Sequence, residues 1–107
     1  MGKVTYSKEF IDHLDSLVHI LYEKEYFGYI ESSIEYVLGI YDFLEANIYK
    51  LPHKKLPNTL RLLGSYFISY NSNKQTTWYI IFDKYDDGIY ITFIFNNHEK
   101  FAQYLDL

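Results

Sequence analysis

The hydrophobic pattern changes its period once, around Pro52, and that change restricts the fold more than any other feature of the chain. Before it, apolar residues recur every three or four positions. Phe10, Leu14, Leu17, Val18 and Leu21 form one run, and Ile30, Ile34, Val37, Tyr41, Leu44 and Ile48 form a second. Each set therefore falls on one side of an α-helix. Beyond Pro52 the period drops to two, with Tyr66, Ile68 and Tyr70 alternating with Phe67, Ser69 and Asn71. Alternation of that kind belongs to a strand with two distinct faces. Helices in the first half and strands in the second predict an α+β fold with a helical layer on a sheet.

The punctuation sets the boundaries. Residues 3–6 form a short extended run, and Ser7 is placed to cap a helix over 8–23,. The polar and aromatic stretch 24–28 interrupts it. The second helix must stop before Pro52, whose ring clashes with a continuing turn and biases Leu51 towards extended geometry. Residues 52–59 read as a solvated connector and 60–70 as a strand. Asn71 to Gln75 supplies turn residues, 76–83 a second strand, Asp86, Asp87 and Gly88 another turn, and 89–95 a third strand,. Residues 96–107 read as a short helix or an irregular tail. The expected domain, spanning 1–107, is an N-terminal strand and a two-helix hairpin packed on a three-strand antiparallel meander.

Composition refines this. Among 107 residues there are 13 Tyr, 8 Phe and Trp78, more aromatic surface than one core of this size needs, so some of it lies near the surface. Both faces of the meander are apolar, which predicts that a partner chain or the C-terminal tail covers the face opposite the helices. Cysteine is absent, leaving no disulfide framework and no thiolate metal site. The opening residues carry no charged stretch followed by an apolar run, and no apolar segment approaches the ~20 residues that span a bilayer. A cytoplasmic protein with no membrane partner is expected. The formal charge of -4 gives no default expectation of avid nucleic-acid binding.

Several segments carry a resemblance to a known family. The opening Val4-Thr5-Tyr6-Ser7-Lys8-Glu9-Phe10, the stretch Ile34-Glu35-Tyr36-Val37, and Leu63-Gly64-Ser65-Tyr66-Phe67-Ile68-Ser69-Tyr70 followed by Thr77-Trp78-Tyr79-Ile80 resemble the RelE/ParE toxin superfamily in order and spacing over nearly the whole chain. The resemblance implies the toxin of a bacterial toxin-antitoxin pair, as in plasmid stabilization systems, neutralised by a cognate antitoxin protein. The activity expected first is that of the RelE branch, inhibition of translation through ribosome-dependent mRNA cleavage by a metal-independent endoribonuclease, with ribosome and mRNA as partners. In the ParE branch the implied activity is inhibition of DNA gyrase. A third reading keeps the fold without the chemistry, as a decayed toxin acting only as an interaction module.

Metal-free RNA cleavage needs a base for the 2′-hydroxyl, a cation for the charged phosphorane and an acid for the leaving oxygen, all at one phosphate. No cofactor or metal enters this scheme. His98, in Asn96-Asn97-His98-Glu99, stands where some RelE-like enzymes place a C-terminal catalytic residue, and Tyr104 follows in the tail. Arg61, the single arginine, precedes the first meander strand, and Lys54 and Lys55 precede it in the connector. Together with Lys50 and His53 these could form a local basic patch. The connector feeds one strand and the tail leaves another, so His98, Arg61 and Lys54 or Lys55 are expected at one rim of the sheet. The family commonly has a strand arginine at the position of Phe67, a replacement that removes a planar phosphate-gripping cation. His13 and His19, six residues apart, suit no single-face metal pair and read as helix-surface or core-edge residues.

Overall fold

A computed structural model of the chain describes residues 2–23 and 30–105. It contains β1 (Lys3–Tyr6), α1 (Lys8–Glu23), α2 (Ile30–Asn47), β2 (Lys54–Lys55), β3 (Tyr66–Asn71), β4 (Thr77–Tyr85) and β5 (Gly88–Asn96), with short 3-10 turns at Asn58–Leu60 and Lys100–Tyr104. Ser7 starts α1 as its position predicts. Its Oγ accepts the Phe10 N–H at 3.0 Å and donates to the Thr92 carbonyl at 2.9 Å, so one buried hydroxyl caps the helix and ties it to β5,. The stretch expected to break the helices, 24–28, lies outside the described residues.

The sheet has the order β1-β5-β4-β3-β2. The meander β3-β4-β5 is antiparallel as expected, while β1 returns to pair in parallel with β5, Lys3 against Gly88 and Tyr6 against Ile91. The fold is thus α+β with two helices and a five-strand mixed sheet. One strand more is present than the pattern predicts. Lys54 and Lys55 pair with Phe67 and Tyr66, and an edge strand made of two lysines carries no apolar alternation to betray it.

A second correction concerns 60–70. The strand begins only at Tyr66, because 58–64 is wound tightly: Arg61 N–H bonds to the Asn58 carbonyl at 3.2 Å, Leu63 to Leu60 at 2.9 Å and Gly64 to Arg61 at 3.3 Å. The α2 stripe also differs. Ile34 is 41% exposed while Ile40 is fully buried beside Val37 and Leu44, with Ser33 completing the inward row. A serine in the apolar stripe disguised its true axis.

Both sheet faces are covered. Phe10, Leu14 and Leu17 of α1 and Val37, Ile40 and Leu44 of α2 pack on Ile68, Trp78, Ile80, Phe82, Ile91 and Ile94, each buried aliphatic or aromatic side chain contributing about 1.5–3 kcal/mol. The opposite face, Phe67, Tyr79, Ile81 and Phe95, is covered by Leu56 and Leu60 from one side and by Phe101, Ala102 and Leu105 of the tail from the other. Of the two expected covers for this face, the chain's own tail is present.

Candidate functional site

The residues expected to act together divide between two ends of the sheet. At one end, Arg61 donates its Nε to the Leu56 carbonyl at 3.1 Å, which fixes the root of the guanidinium while the residue remains exposed. Lys55 stands directly across from Tyr66, and Tyr66 across from Phe82, so these three share a face,. Lys84, two residues on from Phe82, projects to the same face, and its Nζ lies 4.3 Å from the centre of the Tyr66 ring,. Lys55, Arg61 and Lys84 line a cleft of about 510 Å³ with Ser65, Asp83 and Tyr85. It continues through Arg61, Ser65 and Asp83 into a second cleft of about 580 Å³ bounded by Leu62, Leu63, Tyr90 and Phe93. Among the described residues the one ion pair is Lys8 with Asp12, at 2.7 Å.

Lys54 and His53 do not join this cleft. Lys54 pairs with Phe67 and borders a separate cavity of about 130 Å³ beside Leu51 and Ser69. His53 is half-buried, with Nε2 on the Ile48 carbonyl and its ring 4.8 Å from that of Phe82 in an edge-on contact. It serves the junction between α2 and the sheet.

His98 occupies the other end. Its backbone N–H donates to Asn96 Oδ1 at 2.8 Å, and Nε2 lies 3.5 Å from Thr76 Oγ1. Asn97 bolts this corner to the start of β4, accepting the Thr77 N–H at 2.9 Å and donating to the Gln75 carbonyl at 3.0 Å. The turn borders a cavity of about 580 Å³ whose other walls include Leu17, Ile20, Tyr36, Asn73 and Trp78. Among the described residues neither lysine nor arginine lines it.

The register measures the separation. Lys55 is level with Phe82 on β4, whereas His98 follows Asn96, which is level with Trp78. Four residues of strand at about 3.3 Å each put the two sites roughly 13 Å apart along β4 alone. The expected shared rim therefore does not form. The connector enters the sheet near the β4-β5 turn, while the tail leaves at the β3-β4 turn. Tyr104 is 48% exposed and lines neither cleft. Phe67 is buried under the tail, its ring 6.1 Å from that of Tyr79, so the position where the resembled family carries arginine is a core position here.

Lys84 is not among the residues singled out in the sequence, and Tyr66 is read there as a strand residue and not as part of a cleft. A period of two places Lys84 on the face of Phe82, which is the signal in the sequence that points to it. Charge is partitioned in a way the total conceals. The helices α1 and α2 carry eight carboxylates and one lysine, while residues 48–105 carry seven Lys or Arg and four carboxylates. The negative charge belongs to the helical layer, not the sheet. Among the described residues no group of three His, Asp or Glu is placed to hold a metal ion, and no helix is long and apolar enough to cross a membrane. No family model matches the chain, and no curated protein or solved structure matches it.

Proposed function

We propose that the chain is the toxin half of a toxin-antitoxin pair and that it acts by occupying its target, with a cognate antitoxin protein as its neutralising partner. Two things support the toxin reading: the motif resemblance described above, and the element order of strand, two helices and antiparallel meander that goes with it. The observation that favours occupancy over cleavage is the distance between His98 and the Arg61 cleft. Base, cation and acid must reach one phosphate, and among the described residues no lysine or arginine lines the cavity at His98. Gyrase is the target implied for a non-catalytic member.

Cleavage of ribosome-bound mRNA is the second reading, and one observation favours it. Lys55, Arg61 and Lys84 gather cations on the sheet side despite the acidic total, as contact with a phosphate backbone would need.

Induced expression followed by mRNA mapping and plasmid topology separates the two. Occupancy of gyrase predicts growth arrest with intact messages and altered supercoiling. Cuts at ribosome-bound codons would replace it with the nuclease reading, and normal growth with folded protein would leave only an interaction module.

A further inference from the structure

The Arg61 cleft and its continuation past Leu62 form one groove, and its chemistry is specific enough to name an occupant. We propose that this groove docks an acidic peptide segment of a partner protein, one that presents carboxylates beside aliphatic side chains. The proposal rests on the partner-binding reading above and names the surface through which a partner engages.

Three features carry it. The first is a cluster of cations that are not tied up in ion pairs. Lys55, Arg61 and Lys84 line one end of the groove, and none of them is in an ion pair among the described residues, although Asp83 lines that end and Glu9 the other. Two of the three are held in place beforehand, Arg61 by the Leu56 carbonyl and Lys84 over the Tyr66 ring. Cations already ordered lose less freedom on meeting an anion.

The second is apolar surface where the charge ends. Leu62 is fully exposed at the apex of the loop between Arg61 and Leu63, and Tyr85 and Tyr90 are 60% and 36% exposed along the same groove. A single exposed leucine needs no explanation. A leucine and two tyrosines around an arginine is the composition of an interface centre. The loop is also anchored rather than loose, since Thr92 Oγ1 donates to the Leu63 carbonyl at 2.6 Å.

The third feature selects peptide over nucleic acid. Lys84 already occupies a face of Tyr66, which blocks that face as a platform for a base. Asp83, shared by both halves of the groove, and Glu9 at the far half disfavour a backbone charged at every unit, whereas a peptide can set its carboxylates at Lys55, Arg61 and Lys84 and turn N–H groups towards Asp83. Aliphatic side chains of a peptide fill the Leu62 and Phe93 end, which sugar and phosphate cannot.

The test uses the whole chain and a short fluorescent peptide of alternating Glu and Leu, read by anisotropy at low salt. A Lys-Leu peptide and an oligouridine serve as comparators. The Glu-Leu peptide should bind and the Lys-Leu peptide should not. Binding should weaken at least about tenfold in the Lys55→Ala, Arg61→Ala double variant and several-fold in Leu62→Ser, with Lys74→Ala unchanged at the distant β3-β4 turn. Amide chemical shifts of the unaltered chain should move at Leu62, Ser65 and Tyr85, a readout that needs no variant to fold. Absence of Glu-Leu binding at millimolar concentration, or binding indifferent to Arg61 and Leu62, would overturn the proposal. Tighter binding of oligouridine, lost in the same variants, would overturn it too by giving the groove to nucleic acid. Growth assays report separately: peptide binding without growth arrest refutes the toxin reading and keeps the groove, and arrest without peptide binding does the reverse.

Discussion

Trp78 Nε1 donates to Tyr36 Oη at 2.9 Å, and the same phenol oxygen lies 2.7 Å from Ser72 Oγ. One side chain of α2 thereby joins a buried residue of β4 to the turn that follows β3. Trp78 is only 3% exposed, so removing the phenol oxygen leaves an indole N–H without that acceptor. Tyr36→Phe should cost about 1–3 kcal/mol. Urea denaturation should show a lowered midpoint with an unchanged slope, and the cost of Tyr36→Phe should be smaller in a Trp78→Phe background, where the indole donor is already gone.

Tyr6 sets an alkaline limit on stability. Burial, reinforced by the nearby Glu45 carboxylate and by Tyr41, pushes its phenol up to about 12 from an ordinary value of 10. The folded state therefore holds the proton more tightly than the unfolded chain does. The resulting stabilisation is complete below pH 10 and is lost as pH rises from 10 towards 12. Urea midpoints should be flat from pH 7 to about 9 and fall above pH 10. In Tyr6→Phe that fall should be shallower, and an identical decline in both proteins would assign it to other groups.

What could be read from the sequence follows from where tertiary structure agrees with local pattern. Helix α1 matches the expected 8–23 because Ser7 caps it and its stripe is uninterrupted. The faces of β3 match because a period of two has one solution once Ile68 points towards the helices and Phe67 away from them. β2 was invisible, as two lysines carry no apolar signal and only pairing with Tyr66 and Phe67 makes them a strand. The relation between His98 and Arg61 was also beyond local reasoning. It depends on strand order and direction, and on a connector that enters the sheet at the end opposite to the tail.

Gly88 illustrates a tertiary demand placed on one residue. Its φ of +157° and its pairing opposite Lys3 leave no room for a side chain, since a Cβ there would meet the Lys3 backbone. Gly88→Ala should detach β1 from β5 and cost at least about 2 kcal/mol. Hydrogen exchange should show lost protection at Thr5 with the β3-β4 pairing retained. Protection unchanged at β1 would mean that the turn relaxes around the methyl group.

The tail is a structural lid on the second face. Leu105 is 7% exposed among Phe67, Tyr79, Ile81 and Phe95, so Leu105→Ala should cost about 2–4 kcal/mol. Truncation after Glu99 removes Phe101 and Ala102 as well and should leave a folded helical layer on a sheet with one open aromatic face. Such a protein should bind a hydrophobic dye and self-associate. A truncated chain that stays monomeric and excludes the dye would show that the helical side alone sustains the sheet.

His98 provides the sharpest functional test, because occupancy and cleavage predict opposite results for it. Its ring is exposed, its nearest polar contact is Thr76 Oγ1 at 3.5 Å, and Arg61 and Lys55 lie at the other end of the sheet. His98→Ala should alter stability by no more than roughly 1 kcal/mol, as surface substitutions do. On the occupancy reading growth arrest survives the change, while Arg61→Glu with Leu62→Ser weakens it. The phenotype is measured as colony formation after induction, with protein level and circular dichroism checked for each variant. Loss of arrest in folded His98→Ala would return the imidazole to catalysis and make the cavity beside Asn73 and Thr76, rather than the Arg61 cleft, the place where RNA is cut.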